Sequence, residues 1–331
     1  MTRTIKSTAL QRLKDTFKDD GVVLPPMQRH VMRQMATIEA RPDDHSLGHM
    51  HPSDMCKPDW CGRHDYYRII GTEVEREQLS NPSFRMSNVW NEGHLIQEKY
   101  ERWLTEMGVL WGMWLCKECG HEFGALAPSE CQFCKSPRLK YREVPLRRNT
   151  MLVEGHADLG IHDLDGWTGL GEVKSIGIQT LRFEAPRLYN RYQDNNETLE
   201  SVWWKINRPF PSHIKQGQLY LWLAWPRYES MVFIYESKWN QEAKEFVVEY
   251  NKDLIAPILE IAREVSQCVR VGMVPDRPVW ASEPDGKTCK SCEYRRTCWS
   301  LEPEHVDEEP VRVLVRRTTT RKRKTALSTP V

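Results

Sequence analysis

One stretch constrains the fold more than any other. Glu154-Gly155-His156-Ala157-Asp158 and Gly171-Glu172-Val173-Lys174 lie on either side of the turn signal Asp165-Gly166. The pattern predicts two strands, 151–161 and 168–175, folded into a hairpin. Glu172 and Lys174 are two apart, so on a strand they share a face. For Asp158 to join them it must sit opposite Glu172, because a slip of one residue sends it to the other face. A three-residue loop, Leu164-Asp165-Gly166 with glycine left-handed, gives that register, whereas a plain two-residue Asp-Gly turn does not. Opposed side chains have Cβ atoms about 4.5–5.5 Å apart. Two carboxylates at that spacing repel each other unless a cation lies between them. With one, they make a hard-oxygen site suited to Mg²⁺ or Mn²⁺, and Lys174 can orient water and offset charge on a phosphoryl group. A hairpin with solvated Asp, Glu and Lys on its outer face is the plainer alternative.

The 331 residues can bury one sizeable core with insertions, or two small domains. With 40% hydrophobic and 28% charged residues, the composition is that of a globular protein. No apolar run approaches the roughly 18–20 residues that span a bilayer. The opening MTRTIKSTALQRLKDTF lacks the apolar centre of a secretory signal, so a cytoplasmic location without a membrane partner is expected. The formal net charge of +1 hides an uneven distribution. Residues 302–309 are acid-rich, and 312–324 then carry Arg312, Arg316, Arg317, Arg321, Lys322, Arg323 and Lys324 with no acid. That block reads as a disordered solvated tail that can also bind nucleic acid.

Along the chain, residues 1–50 read as one or two helices with a polar loop around Arg41–His45. An amphipathic helix is expected over 87–107, with Ser87 or Asn88 as N-cap and Ile96, Tyr100, Trp103, Leu104 and Met107 as its apolar stripe. His94 falls off that stripe. A long polar segment runs from Gln179 to Pro211. Ser212 is expected to cap a helix ending at Trp225 before Pro226, with Gln216 and Tyr220 on one face at i,i+4. Strands at Met231–Glu236 and Phe246–Tyr250 and a helix over Asp253–Val269 complete the pattern. This order indicates a mixed α/β core.

The ten cysteines are clustered. Paired spacings in a chain without an export signal favour metal ligation over disulfides. Cys116-x2-Cys119-x11-Cys131-x2-Cys134 has zinc-ribbon spacing, and Gly120–Gly124 suits a short hairpin between the knuckles. A structural staple is the main reading for this module, and a grip on DNA the secondary one. Cys289, Cys292 and Cys298 lie close together, Cys56 and Cys61 lie far upstream, and Cys268 sits on an apolar helix as a core residue.

Taken in order, Gly93-His94, Gly155-x-x-Asp158, Glu172-x-Lys174 and Gln216-x-x-x-Tyr220 resemble the RecB-family branch of PD-(D/E)XK nucleases. The resemblance covers roughly residues 56–300. It implies a restriction-endonuclease-like mixed sheet flanked by helices, with His94, Asp158, Glu172 and the Val173 carbonyl as ligands of Mg²⁺ or Mn²⁺. Lys174 would be the catalytic lysine, and Gln216 and Tyr220 would contact DNA or support the site. The late cysteines with one upstream partner resemble the iron–sulfur subset, which includes CRISPR-adaptation and double-strand-break-processing nucleases. There the first cysteine precedes a pair of aromatics, as in Cys61-Gly-Arg-His-Asp-Tyr66-Tyr67, although Gly62 replaces the usual proline. Cys61, Cys289, Cys292 and Cys298 would hold a [4Fe–4S] cluster, with zinc as the alternative occupant and Cys56 as an alternative ligand.

This gives a helical region 1–55, a nuclease core 56–300 with a zinc-ribbon insertion at 114–137, and a tail 301–331. The expected function is a metal-dependent DNA nuclease, an exonuclease in DNA processing, recombination or replication, with protein partners from those processes. A non-catalytic DNA-binding adaptor on the same fold and a structure-selective or sequence-specific endonuclease are the alternatives. The intact Asp158, Glu172 and Lys174 argue against the adaptor. No Walker-type phosphate loop is present, which argues against ATP-driven unwinding. A small nuclease with such insertions would suit a phage or other mobile element, by analogy alone.

Overall fold

The computed structural model describes residues 47–74, 84–194 and 196–300. The expected N-terminal helices, the loop around Arg41–His45 and the charged tail lie outside the described residues. A seven-stranded sheet forms the centre. Its strands are β1 (Leu110–Cys116), β2 (Glu122–Leu126), β3 (Leu139–Tyr141), β6 (Leu159–Leu164), β7 (Trp167–Ile176), β8 (Ser230–Ser237) and β9 (Ala243–Glu249). The order is β2-β1-β6-β7-β8-β9, with β3 also on β1. Only β7 and β8 run parallel among these pairs. Two further strands, β4 (Val144–Arg148) and β5 (Val153–Ala157), form a separate antiparallel pair.

The helices follow from burial on the two faces. On one face lie α1 (Pro52–Met55), α2 (Gly62–Ile69), α7 (Pro211–Ala224) and α8 (Ala256–Val271), which share a core with Leu170, Phe233 and Tyr235. On the other lies α3 (Phe84–Glu106), where Tyr100 and Leu104 pack with Leu159, Ile161, Val232 and Ile234. Alternate residues of the central strands thus feed opposite cores, as the two-residue period of a strand requires. This is the mixed α/β core that the sequence pattern indicated, with the flanking helices that the resemblance implied. No described helix is long and apolar enough to cross a membrane.

Several boundaries differ from the sequence reading. Helix α3 begins at Phe84, so Ser87 and Asn88 lie within its first turns rather than capping it, and Trp103 and Met107 of the expected stripe are exposed. Helix α7 starts at Pro211 with Phe210 as N-cap, because proline fits the first helical position better than a capping serine follows it; Ser212 lies inside. Residues 252–255 form a 3₁₀ turn before α8. The polar stretch after Ile176 is not a long loop. It holds α4 (Ile178–Glu184), α5 (Pro186–Gln193) and α6 (Leu199–Lys205), which together with α7 make the crossover that parallel strands require.

The expected strand 151–161 is broken at Asp158. Before it β5 pairs with β4, and after it β6 pairs with β7. The turn is also different. Leu164 pairs with Trp167, leaving a two-residue Asp165-Gly166 turn in which both residues have positive φ (50° and 83°), as a type I′ turn demands. A β-bulge repairs the parity. His162 and Asp163 together oppose Thr168, Asp163 takes φ 57°, and its N–H donates to Thr168 Oγ1 at 3.1 Å. Beyond the bulge Ile161 faces Gly169 and Leu159 faces Gly171. The next step along that register sets Asp158 against Glu172.

Where β6 meets β1, Gly160 faces Trp111, and a Cβ there would stand 2.5 Å from the Trp111 carbonyl oxygen. Backbone cannot retreat as a side chain can. Gly160→Ala should therefore cost about 1–3 kcal/mol, the usual range for overpacking. A thermal midpoint equal to that of the parent protein would show that the two strands are not packed as described.

Candidate active site

Strand β7 delivers Glu172 and Lys174 to the face that carries α7, and the helix delivers Gln216 and Tyr220 one turn apart. Lys174 Nζ donates to Glu172 Oε1 at 2.8 Å and to Gln216 Oε1 at 2.9 Å. Gln216 Nε2 donates to Glu172 Oε1 at 3.2 Å and to the Tyr220 hydroxyl at 3.0 Å. Glu172, Gln216 and Tyr220 are buried, while Lys174 is partly open. Asp158 completes the group from the strand break, where its Oδ2 accepts from the Val173 N–H at 2.8 Å. Five of the residues singled out from sequence (Asp158, Glu172, Lys174, Gln216 and Tyr220) thus converge, with Val173 beside them.

The electrostatics are unbalanced. Burial, and then the Glu172 charge, raise Asp158 well above the ordinary carboxyl range. Burial also raises Glu172, against the pull of Lys174. Burial lowers Lys174, but the charges of Glu172 and Asp158 outweigh it and hold the ammonium above its usual value. Glu172 Oε2 is buried with no hydrogen-bond partner. An orphaned carboxylate oxygen next to a second carboxylate is a costly arrangement. It fits a hard divalent cation, which would take both oxygens.

His94 is exposed on α3. That helix lies on the opposite face of the sheet, with the Gly93 Cβ position 3.5 Å from Ser175 Oγ. His94 does not form a three-ligand set with Asp158 and Glu172 among the described residues. Three neighbours were not expected at this site. Cys56 is buried near Lys174, whose charge acts on its thiol. His213 lies one turn before Gln216, and burial, then Lys174, lower it to about 3. Glu143, the residue before β4, acts on both Asp158 and Glu172. Cys56 and Glu143 are distant in sequence from the motif they approach, whereas His213 shares the helix of Gln216 and Tyr220 three residues upstream.

Two cysteine groups lie apart from this centre. Cys116, Cys119, Cys131 and Cys134 bring their sulfurs within 4.8 Å of one another, at the β1–β2 edge of the sheet. Backbone N–H groups at Cys119 and Glu118 lower the Cys116 thiol to about 6, toward the thiolate a metal binds. The set has the four-thiolate composition of a structural zinc site. The second group, Cys61, Cys289, Cys292 and Cys298, lines one cavity together with His64, Arg277 and Arg295. Cys61 lines this cavity and Cys56 does not. Gly62 has no room for the proline of the related pattern, since a Cβ there would lie 2.7 Å from Val265 Cγ2. Hydrogen bonds to Asp65 and Glu293 overcome burial and raise His64 to about 9, and His64, Cys292 and Glu293 form a further three-ligand set.

No family model matches the sequence, and no curated protein matches it. Among solved structures, the chain is similar to SSO0001 at 13% identity and a TM-score of 0.37, covering 84% of this chain and 96% of that one. It is also similar to an alkaline exonuclease, LHK-Exo, from Laribacter hongkongensis, at 14% identity and a TM-score of 0.36, over 68% and 90% of the two chains. The same exonuclease in complex with dAMP gives a TM-score of 0.35 at the same identity and coverage.

The raised Asp158 has a thermodynamic signature. The folded state holds its proton more tightly than the unfolded chain does. Stability from this group is complete below the unfolded value of about 3.9 and is lost as pH rises through the folded one. Asp158→Asn keeps an acceptor for Val173 N–H and removes that loss. In protein dialysed free of Mg²⁺ and Mn²⁺, it should raise the thermal midpoint more at pH 8 than at pH 5. A gain independent of pH would refute the repulsion.

Proposed function

We propose that the chain is a divalent-cation-dependent nuclease that hydrolyses phosphodiester bonds in DNA as an exonuclease. The observation that carries this reading is the buried network Lys174–Glu172–Gln216–Tyr220 set beside Asp158, with Glu172 Oε2 unpaired. A purely binding protein gains nothing from two mutually repelling buried carboxylates.

Asp158, Glu172 and the Val173 carbonyl are the proposed ligands of Mg²⁺ or Mn²⁺; His94, exposed on the other face of the sheet, is left out of the proposed set. When bound, the cation supplies Lewis acidity to the scissile phosphate and lowers the pKa of water. The protein supplies the rest. An ammonium has three donors, and Glu172 and Gln216 take two of those on Lys174. The third is left for attacking water or a phosphate oxygen. Gln216 fixes the lysine, because its carbonyl is committed to Nζ and its amide to Glu172 and Tyr220. Burial keeps the Tyr220 hydroxyl protonated, so it adds no charge to a crowded anionic site. The ribbon is read as a zinc-bound staple. The basic tail is read as a second contact with DNA phosphates.

Glu172→Ala and Lys174→Ala should each lower Mg²⁺- or Mn²⁺-dependent cleavage of end-labelled DNA on the order of 10²-fold or more. Neither change should unfold the protein. A folded variant at either position that cuts at the parent rate would overturn the assignment, and so would parent activity that survives chelation.

For the second cysteine group we propose a [4Fe–4S] cluster that acts as a fold lock. Four thiols line one cavity, with Arg277, Arg295 and His64 to offset the anionic cluster. Burial holds Cys61 and Cys292 at about 11, which ligation would reverse. The cluster would join α2 to the last described helix, α9 (Arg295–Ser300), across most of the chain. By analogy with a long-loop disulfide, such a closure contributes about 5 kcal/mol, comparable with a whole domain's stability. Cys289→Ala should lose the brown absorbance and lower the thermal midpoint, while the folded fraction still cleaves DNA. Zinc without iron at these cysteines would sink the cluster, and an unchanged midpoint would sink the lock.

A further inference from the structure

The crossover between β7 and β8 turns two aromatic side chains outward. Phe183 on α4 is 77% exposed, and Trp204 on α6 is 66% exposed. Helix α4 packs on α5 and α5 on α6, so the three share a continuous surface. Phe183 and Trp204 are the exposed large hydrophobics of residues 177–208, and no exposed aliphatic side chain accompanies them there among the described residues. A single exposed aromatic needs no explanation, but each of these two has a cation against its ring. The Arg182 guanidinium lies 6.0 Å from the Phe183 ring centroid, and Lys244 Nζ lies 5.1 Å from that of Trp204.

Trp204 is held in place. Lys244 reaches across from β9 and donates to the Trp203 and Ile206 carbonyls at 2.7 and 2.9 Å, at the C-terminal end of α6. Buried Trp203 in turn meets Trp239 edge-on, with ring centroids 5.7 Å apart. The lysine takes one face of the Trp204 ring and leaves the other open. The surroundings are cationic. Arg182, Arg187, Arg208 and Lys215 are exposed and form no ion pair among the described residues. Against them stand Asp194 and Glu200, since Glu197 is already paired with Arg191 and Lys205. This surface borders the candidate active site. Glu184 of α4 acts on Tyr235, whose hydroxyl is bonded to His213, one turn before Gln216 on α7.

We propose that the crossover helices form a stacking platform for single-stranded DNA, with Phe183 and Trp204 each receiving an unpaired base and Arg182, Arg187 and Arg208 following the phosphates. This rests on the nuclease reading above and specifies the form of its substrate. A base inside a duplex already has a neighbour on each face, whereas an unpaired base of any identity gains by stacking on an aromatic ring. The core of a protein–protein interface is depleted of charge. Here a cation stands at each ring, which suits a strand that carries a phosphate beside every base. The platform then holds the unpaired strand that leads to Lys174.

The test is equilibrium binding of a fluorescein-labelled oligothymidylate and of a blunt hairpin duplex, by protein dialysed free of Mg²⁺ and Mn²⁺. The parent protein should bind the single strand more tightly than the duplex. Phe183→Ala and Trp204→Ala should each weaken single-strand binding on the order of tenfold and leave duplex binding unchanged. Phe183→Tyr and Trp204→Phe should keep most of the affinity, and Phe183→Leu and Trp204→Leu should not. Unchanged single-strand binding in either alanine variant, or equal losses on the two forms of DNA, overturns the platform. Rescue by leucine also overturns it, and is the result an apolar protein-docking surface gives. Both residues are exposed, so neither truncation opens the core. Cleavage is read separately once Mg²⁺ or Mn²⁺ is restored, and the alanine variants should raise KM and keep kcat. A parent protein that binds as described and never cuts removes the nuclease reading and leaves the platform standing. A parent protein that cuts, with both alanine variants keeping its KM, removes the platform alone.

Discussion

The hydrogen bond from the Val173 N–H to Asp158 Oδ2 closes a gap that the rest of the molecule is arranged around. At Asp158 the chain leaves the β4–β5 pair and joins the main sheet, and the ladder is interrupted there. A side-chain carboxylate takes the place of a backbone carbonyl. That substitution satisfies the N–H, and it also sets an ionisable group in the interior next to Glu172. Structure and electrostatic tension come from the same atom. The tension is tolerable because Lys174, from the same strand, and Gln216, from the helix packed on it, both donate to Glu172 Oε1.

Much of this was legible from short periodicities. Glu172 and Lys174 share a face because strands repeat every two residues, and Gln216 and Tyr220 share one because helices repeat near four. The pairing of Asp158 with Glu172 was legible as well, since only one parity brings the three polar groups together. Its mechanism was not. A turn of Asp165-Gly166 alone gives the wrong parity, and the bulge at His162 and Asp163 that restores it depends on a single left-handed aspartate. Composition also hid the three helices after Ile176, whose short amphipathic turns are diluted by charge. Glu143 was invisible for a different reason. Its place beside Asp158 comes from the pairing of β4 with β5, on the far side of the cysteine ribbon, and no local pattern encodes it.

The two cysteine groups act at different scales. The first closes a short excursion at the sheet edge, where β2 and β3 flank β1. The second gathers residues from α2 and the last described helix, and polar contacts already tie those ends. Thr288 Oγ1 donates to Asp59 at 3.2 Å, and Arg63 and Arg277 both donate to the Cys298 carbonyl. The cavity is thus framed by the fold before any inorganic group is considered, with cationic side chains around the thiols.

The parallel pairing of β7 with β8 has a consequence for the order of assembly. Contacts close in sequence cost little chain entropy to form, and distant ones cost more and form later. The hairpin that sets Glu172 and Lys174 beside Asp158 is local, whereas the amide of Gln216 reaches Lys174 across 42 positions of crossover. During folding, the lysine and the two carboxylates meet first in an open, watery setting where their charges are screened. The helix arrives afterwards and drives the water out. The crossover closes at longer range than the hairpin, so it is the helix, and not the strand pair, that takes these charges out of water.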